Sequence, residues 1–513
     1  MGFTKLKDGI GTGAGNSTKV EIESPTGVFG GVETITLQAQ AQGDFVYGIQ
    51  DQTFTTSSFL GSTVTTNEGL CVLTSGTDPN GSATIQLRRG LKYRPGQGSA
   101  FRATALFDTP VSGNAMFLGT GTAECGYFIG YFGTSFGVLH STTGQREIRR
   151  LDITTGATTG NVTVTLNGES IVVPVSGNSS PETTAYQLTL ADYSQIGGDA
   201  GGFLADANSG SVYFISARSN TTSTGSYSVA GASIVGSFTQ VKAGENQTND
   251  FIPSSSFNID RLDGTGPSGM ILDTSNGNVF QIEYQYLGFG NSNFSIEDPE
   301  TGKLFPFHII KNANNRTTPV LKNPNISCLL TSTNINGGTT SKVLKTASMA
   351  AFIEGDVRKL DPKYAKSFQF SGINELSYVP LGILKANRVY RDQSCFGEFD
   401  ILRIAGSNES TSKTLTIGFF LDATIDDGDV NFQYIDQDNS IVSYADLDPD
   451  NDTIVNIANL TPFYETIVGP NNSVQENLDN LEILFGVGRS LLIAIKTSGA
   501  VAGAVSVQWF EQQ

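Results

Sequence analysis

Two histidines, His140 and His308, are the residues around which a nucleophilic catalytic site would have to be built. A Ser/His/Asp or Cys/His site needs a histidine next to a nucleophile and an orienting acid. Both histidines lie in aromatic, strand-like contexts, FGVLH and FPFH, which favour a place in the core or on a strand surface. With so few imidazoles, a histidine-based metal site is not indicated either.

A pair of carboxylates that could cleave glycosidic bonds lies in the run EFDILR. Glu398 and Asp400 are two positions apart and so share one face of a strand, and retaining glycosidases use two carboxyl groups about 5 Å apart. The run is similar to the ExDxxE motif of concanavalin-like glycosidases, whose second glutamate would stand at Arg403. Arginine can be neither the acid nor the nucleophile of that reaction. The pattern predicts an incomplete site and a protein that is not an enzyme.

A calcium site among the aspartates that crowd residues 422–452 is the third candidate. Residues 446–452, DLDPDND, resemble the opening of an EF-hand loop, but Asn451 replaces the required glycine and Ile457 the required glutamate. A looser Ca²⁺ site and a solvated acidic rim both stay open.

Aromatic residues are the most plentiful binding candidates. They can stack on sugars, but they more often fill a sandwich core or an obligate interface, and we interpret them in that second way. The residues concerned are Tyr127, Phe128, Tyr131, Phe132, Phe136, Tyr284, Tyr286 and Phe289.

The composition indicates which elements must position these residues. Glycine is abundant, with 59 residues, and charged residues make up only 16% of the 513, which is typical of short strands joined by tight turns. The length corresponds to about three or four domains. A formal net charge of −18 argues against nucleic-acid or anionic-membrane partners. Because no run reaches the roughly 18 apolar residues of a membrane span and no signal peptide is apparent, we expect a soluble protein made in a cytoplasm.

The four cysteines, Cys71, Cys125, Cys328 and Cys395, are dispersed and form no CxxC pair. Neither a zinc site nor a disulfide framework is indicated by this spacing. We expect buried thiols and no cofactor, and apart from the calcium site left open above we assign no metal-binding residues.

The segment Ser256–Gly290 joins two strand-like runs through a turn. Residues 263–269, DGTGPSG, form a glycine-dependent connection that no helix can cross. Val279–Tyr286 then alternates apolar with polar residues, which predicts a half-buried antiparallel strand. Three aspartates near the turn could bind an ion but by default cap its backbone: Asp260, Asp263 and Asp273.

This segment resembles one found in virion structural proteins of tailed phages and of large DNA viruses of algae and protists. The other motifs of the resemblance are LKYRPG at 91–96, GYFIGYFG at 126–133, FGVLH at 136–140, SMAAFIEG at 348–355 and VQWFE at 507–511. The resemblance implies a tail, fibre, baseplate or capsid-surface component, located in the virion and assembled with copies of itself and neighbouring virion proteins. Host attachment through glycan binding is compatible with it. A carbohydrate-active enzyme and a Ca²⁺-dependent cell-surface adhesin are the alternatives.

The fold class that we expect is mainly β: a concanavalin or jelly-roll-like sandwich, interrupted by a small α+β insert and followed by a C-terminal β-sandwich. The predicted units are an N-terminal arm at 1–35, one discontinuous sandwich at 36–145 and 250–355, the insert at 146–249, a connector at 356–395 and the C-terminal sandwich at 396–513. The arm has few large apolar residues and would order only against a partner, so we expect it to anchor the protein to neighbouring subunits.

Local signals mark elements within these units. Asn167-Gly168 predicts a two-residue hairpin. Ser180 as N-cap, followed by Pro181 and Glu182, predicts the start of a helix. Lys359–Ser367 also has helical character.

Overall fold

The computed structural model of the protein describes residues 37–93, 96–177, 179–197, 201–219, 225–230, 232–355, 362–425, 430–450, 454, 461–478 and 483–512. The predicted arm at 1–35 lies outside these ranges. Antiparallel strands dominate the described chain, as its glycine-rich and charge-poor composition predicts. The expected mainly β fold class is confirmed.

The elements follow one another in chain order. Before the insert lie β1 (Leu37–Asp44), β2 (Phe54–Phe59), β3 (Thr63–Asn67), β4 (Leu70–Thr74), β5 (Ser82–Leu87), β6 (Ser99–Phe107), β7 (Asn114–Gly121), β8 (Gly126–Phe132) and β9 (Ser135–Thr142). The insert contains β10 (Arg146–Thr155), β11 (Gly160–Leu166), β12 (Glu169–Val175), the helix α1 (Pro181–Thr189), β13 (Phe203–Asn208), β14 (Ser211–Ser219), β15 (Gly225–Ala230) and β16 (Val235–Lys242).

The remaining strands complete the two sandwiches. After the insert lie β17 (Thr248–Pro253), β18 (Asn278–Tyr284), β19 (Ser292–Glu297), β20 (Leu304–Ile310), β21 (Ser327–Asn334), β22 (Val343–Thr346) and β23 (Ser348–Glu354). The C-terminal part contains β24 (Lys363–Ile373), β25 (Val379–Ala386), β26 (Val389–Tyr390), β27 (Gln393–Ser394), β28 (Glu398–Asn408), β29 (Leu415–Leu421), β30 (Gln433–Tyr434), β31 (Val442–Asp446), β32 (Tyr464–Val468), β33 (Asn472–Asn477), β34 (Leu484–Phe485), β35 (Ser490–Thr497) and β36 (Val501–Gln512).

The first sandwich consists of two sheets, which we call the front sheet and the back sheet. The front sheet has the strand order β17-β9-β8-β7-β21-β5-β2, and the back sheet has the order β20-β19-β18-β6-β22-β4-β3, with β1 and β23 beside this path. Strands from before residue 145 and after residue 250 pair directly, β6 with β18 and β7 with β21. Side chains from both parts, including Phe101 and Phe280, form one core.

The glycine-rich turn has the tight backbone that its sequence requires. The Gly264 N–H donates to Met270 O at 2.9 Å and closes the turn. Gly266 is needed because a Cβ there would lie 2.1 Å from Asp260 Oδ1. After the turn, β18 buries Phe280 as the alternation predicts.

The insert folds around its own small core, to which Ala185 and Leu188 of α1 contribute. Asn167 and Gly168 have φ values of 52° and 83°, the left-handed backbone that a two-residue hairpin demands. Ser180 Oγ accepts the Thr183 N–H at 3.1 Å and caps α1. The predictions of the hairpin and of the helix start are confirmed.

The insert leaves and re-enters the first sandwich at one point. Thr142 at the end of β9 and Thr248 at the start of β17 are directly opposite each other in an antiparallel pair. Gln145 and Glu245 form a further bridge just beyond it.

The second sandwich combines a sheet of order β24-β36-β28-β33, with β34 beside it, and a sheet of order β30-β31-β25-β35-β29-β32. β24 and β25 belong to it although they fall within the predicted connector 356–395, so this sandwich includes more of the chain than predicted. The helical character expected for Lys359–Ser367 is wrong over the described residues 363–367. Exposed and less exposed side chains alternate there, and pairing with β36 satisfies the backbone.

Buried polar contacts dock the three parts onto one another. Lys385 Nζ of the second sandwich lies 2.6 Å from Asp206 Oδ1 of the insert, and both side chains are buried. The Gly90 N–H of the first sandwich donates to Glu398 Oε1 of the second at 2.9 Å. Ser219 Oγ of the insert donates to Ala123 O of the first sandwich at 2.5 Å.

Candidate functional site

A cleft of about 550 Å³ lies on the outer face of the front sheet, where the three parts meet. The sheet supplies the floor. Leu204 and Arg218 of the insert and Arg388 and Val487 of the second sandwich contribute further lining. A volume of this size is typical of a site for a small ligand or for a few units of a polymer.

The floor follows from the alternation of side chains along each strand. On β7, Met116 and Leu118 point into the core, whereas Ala115 and Phe117 face the cleft. The outward residues of the other strands keep the same register, which places Phe128 of β8 beside Leu139 of β9.

The half of the floor on β7, β8 and β9 is apolar. Phe128 rests against the backbone at Gly119 and Gly121, because a Cβ at either glycine would lie 2.5 Å from its ring. The Phe117 ring centroid lies 6.1 Å from that of Phe128. The glycines thus make room for aromatic rings on the surface of the sheet, and these rings form an apolar patch with Leu139.

The half of the floor on β21, β5 and β2 is polar. Thr84 Oγ1 donates to Thr331 Oγ1 at 2.9 Å across two strands. The side chains of Thr55, Ser57 and Gln86 line the same half and form no hydrogen bond with another described residue. This half therefore offers polar groups that a ligand can engage.

Basic side chains surround the cleft. They are Arg88, Lys92, Arg146, Arg218, Arg388 and Arg489. Of the described residues that line the cleft, Glu398 is the one carboxylate. The lining is thus basic in a chain whose net charge is −18.

Neighbouring guanidinium groups in this lining repel one another. Burial, and to a smaller extent the charge of the nearby Arg489, lower the pKa of Arg88 to about 10, against the opposing effect of Asp422 and Asp51. Burial also lowers the pKa of Arg146 to about 10, to which the charge of Arg388 adds. With a pKa of about 10, Arg88 and Arg146 still carry a positive charge at neutral pH, so the cleft attracts anions.

The predicted carboxylate pair does not form a catalytic constellation. Glu398 is buried, and its Oε1 accepts the Gly90 N–H and lies 3.3 Å from Lys92 Nζ. Its Oε2 is buried without a hydrogen-bond partner in the described chain. Asp400 is fully buried, and a bulge separates Ile401 from the exposed Arg403. Since the position of the motif's second glutamate is occupied by Arg403, no third carboxylate joins Glu398 and Asp400, as the sequence predicts.

Both histidines have the structural roles expected of them. His140 stacks on Tyr127 at 4.7 Å, and its Nε2 and Nδ1 lie 2.7 Å from Val320 O and 3.0 Å from an Arg316 nitrogen. His308 Nδ1 accepts the Asn258 N–H at 3.2 Å. Burial lowers the pKa of each imidazole to about 4.

The aromatic candidates divide between core and cleft. Tyr127 and Tyr284 are buried in the core of the first sandwich. Tyr131, Phe136 and Tyr286 pack against that core. Phe128 and Phe132 line the cleft instead, and Phe289 is exposed on the surface. The interpretation as core residues thus holds for those five and for Phe128, which is buried in a smaller cluster under the cleft. Phe132 and Phe289 lie on the surface, where a role in an interface stays a prediction.

The aspartates near the glycine-rich turn cap backbone groups. Asp260 accepts the N–H groups of Leu262 and Ser268, both at 2.8 Å. Asp263 accepts the Thr265 N–H at 2.9 Å, and Asp273 accepts the Ser275 N–H at 3.0 Å. The default interpretation of these residues is confirmed.

The C-terminal aspartates do not converge in the described chain. Asp446 lies 3.0 Å from Lys366 Nζ, and Asp422 pairs with Arg489. Residues 426–429, 451–453 and 455–460, which include much of the predicted calcium segment, lie outside the described residues. Over the rest, no group of three or more His, Cys, Asp or Glu side chains is arranged to hold a metal ion.

The four cysteines are buried and free, as expected. Burial raises the pKa of Cys71 to about 12 and that of Cys395 to about 11. These thiols are protonated at neutral pH and are poor nucleophiles.

The sequence did not single out the cleft, although one local signal of it exists. Glycines alternate with large residues in the runs FLGTG and GYFIGYF, and such glycines in a strand can mark a surface against which a ring packs closely. Nothing local places Gln86 or Arg388 beside these runs, because that proximity arises from docking of separate parts of the chain.

Comparison with known proteins finds likeness only in solved structures. No family model and no curated protein matches the chain. The carbohydrate recognition domain of Emp47p is 7% identical over 62% of this chain and 97% of its own, with a TM-score of 0.25. The legume lectin-like domain from Entamoeba histolytica is 9% identical over 58% and 89%, with a TM-score of 0.22. Arcelin-5, a lectin-like defence protein from Phaseolus vulgaris, is 6% identical over 62% and 99%, with a TM-score of 0.22. At such scores the assignment of the fold depends on the strand pairing described above. Separately, the described part of the chain contains no helix long and apolar enough to cross a membrane.

Proposed function

We propose that the protein is a non-enzymatic virion structural component that binds a glycan in the cleft over the front sheet. The observation that carries the binding proposal is the two-sided floor. Its aromatic half, with Phe117 and Phe128, lies beside a half whose polar groups include Gln86. Sugars present apolar C–H faces and hydroxyl edges together, so one floor can contact both.

Binding without hydrolysis follows from the carboxylates at the cleft. Glu398 is tied to the Gly90 N–H and to Lys92. The position at which the related motif has its second glutamate is the exposed Arg403. A retaining mechanism needs two carboxyl groups on either side of the scissile bond, and the described lining offers one.

Replacement of Gln86 by alanine tests the cleft. Since this half-buried amide has no hydrogen-bond partner among the described residues, Gln86→Ala should leave the fold intact. A hydrogen bond to a neutral group contributes about 0.5 to 1.5 kcal/mol, so affinity for a glycan found by array screening should fall about 2- to 10-fold. Isothermal titration calorimetry measures this change, and incubation with the same glycan should release no reducing ends.

Gln369→Ala is the matched control, because Gln369 is an exposed strand residue outside the cleft. It should bind like the unchanged protein. Equal losses in both variants, or glycan binding that Gln86→Ala does not alter, would place the site elsewhere.

The motifs shared with virion structural proteins support placing the protein on a particle. They fall largely on core strands such as β8, β23 and β36, which suits a structural component and brings no chemistry of its own. Deletion of residues 2–30 should leave the β-type circular dichroism spectrum unchanged and abolish incorporation into particles, because the arm is expected to order only against neighbouring subunits. Normal incorporation of the truncated protein would refute the anchoring role.

A further inference from the structure

We infer that the glycan bound in the cleft is acidic, and that Arg388 holds its carboxylate or sulfate group. This inference rests on the proposed function and names the chemical class of its ligand. It starts from the charges of the lining. Among the described residues that line the cleft, six side chains are basic and one, Glu398, is a carboxylate.

The carboxylates near the basic lining are already engaged. Asp422 pairs with Arg489, and Glu398 lies 3.3 Å from Lys92 Nζ. One oxygen of Asp206 accepts a hydrogen bond from Lys385 Nζ. Its other oxygen accepts a hydrogen bond from the backbone N–H of Arg388 at 2.7 Å. Glu124, near Arg146, lies 3.6 Å from Lys322 Nζ. Each of these acids thus has another cation beside it, and they compensate only part of the positive charge in the cleft.

Arg388 is the group best placed to use that charge. Its half-buried side chain forms no hydrogen bond or ion pair with another described side chain. The guanidinium lies against Gly488, where a Cβ would be 2.3 Å from its Cζ, so the backbone restricts its position. At the other end of the side chain, the hydrogen bond from the Arg388 backbone N–H to Asp206 fixes the main chain. A planar guanidinium held in this way can bind a carboxylate or a sulfate through two parallel hydrogen bonds.

Two neighbours strengthen the field at this place. Arg88 and Arg146 form no ion pair with another described residue, and their guanidinium groups donate to backbone oxygens of Asp51 and Ser216 respectively. The more distant charges of Asp422 and Asp51 near Arg88, and of Glu124 near Arg146, offset only part of this positive charge. Repulsion among these guanidinium groups is relieved when an anion binds between them.

An oligosaccharide explains the cleft better than a free anion or a nucleic acid. A small inorganic anion would leave the amide of Gln86 without a partner and would not contact the apolar patch formed by Phe117, Phe128 and Leu139. A nucleic acid would bring its many phosphates against a surface whose overall charge is −18. A few sugar units with an acid group fill about 550 Å³ and meet all three kinds of lining.

Matched acidic and neutral oligosaccharides test the inference by calorimetry on the full chain: trigalacturonate against its methyl ester, sialyllactose against lactose, and a heparin hexasaccharide against its desulfated form. The acidic member of at least one pair should bind at least 10-fold more tightly than its neutral partner. Arg388→Gln should weaken that binding about 10- to 100-fold, the range of a charge-assisted hydrogen bond. Arg388→Lys should retain more of it, and raising the salt concentration should weaken it in the unchanged protein.

Arg261→Gln is the control, since it removes the same charge from an exposed residue outside the cleft and should change affinity less than twofold. Neutral members that bind as tightly as acidic ones, or Arg388→Gln without effect, would overturn the acidic specificity and leave glycan binding standing. Sodium sulfate that binds as tightly as the sulfated hexasaccharide would also overturn it. Binding of none of these sugars, nor of any on a glycan array, would overturn the proposed function itself.

Discussion

Asp206→Ala should lower the free energy of unfolding of the second sandwich by about 3 to 5 kcal/mol. The substitution leaves the Lys385 ammonium buried. Its remaining hydrogen-bond partner among the described residues is Ala207 O, 2.7 Å away, and the Phe432 ring centroid lies 4.1 Å from its nitrogen. An uncompensated buried charge is costly because neither water nor an anion solvates it. Trp509, the single tryptophan of the chain, is fully buried in the second sandwich. Its fluorescence during urea denaturation reports the loss.

Two further variants separate the buried charge from the mere loss of a contact. Asp446→Ala removes an ion pair to Lys366 whose carboxylate is 62% exposed, and such exposed pairs contribute about 0 to 1 kcal/mol. Combining Asp206→Leu with Lys385→Met removes both buried charges and should recover most of the stability. A double variant as unstable as Asp206→Ala would show that the cost comes from packing and that no charge is stranded.

Lowering the pH from 7 towards 4.5 should destabilise the first sandwich through His140 and His308. Each imidazole has a pKa of about 4 when folded, against about 6.5 when unfolded. Between these values the unfolded chain binds more protons, so the free energy of unfolding falls as the pH falls. The full pKa difference corresponds to about 3 kcal/mol of unfolding free energy for each histidine. Part of this stabilisation is lost by pH 4.5. Urea midpoints measured by circular dichroism across this range follow the loss.

Burial is the main reason why protonation of His140 is unfavourable, and the neighbouring Arg316 adds to it. Arg316 donates to Nδ1, so an added proton there would face a guanidinium, and Asp250 compensates only in part. His140→Gln cannot be protonated and should show a shallower decline between pH 7 and 4.5, although it starts from a lower stability. An equally steep decline in the variant would assign the pH dependence to other groups.

Local chemistry was enough to predict the elements that depend on it. Asn167-Gly168 requires positive φ, and Ser180 reaches the Thr183 N–H within one turn of helix, so both could be identified from adjacent residues. The helical prediction for residues 363–367 is wrong because their secondary structure is determined by pairing with β36, more than a hundred positions away. Tertiary pairing overrides local propensity in such strands.

The candidate cleft lay beyond prediction for the same physical reason. Phe128, Leu204 and Arg388 belong to three parts of the chain with separate cores, and the contact between these parts depends on buried pairs such as Lys385 with Asp206. The net charge of the sequence gives no sign of the cleft either, because a chain that is acidic overall can still have a cleft lined by basic side chains. The scarcity of catalytic residue types, in contrast, needs no tertiary information and could be seen at once.

The facing pair Thr142 and Thr248 has a consequence for how such a protein can diversify. Because the chain departs and returns through two neighbouring positions of one sheet, the pairing of β9 with β17 does not depend on the length of what lies between them. The insert can therefore change wherever its buried contacts through Asp206 and Ser219 are kept. The residues exchanged in this way include Leu204 and Arg218 of the cleft lining. Recombination at a single place could therefore supply a new recognition surface while the floor of the site, and the scaffold that holds it, are inherited unchanged.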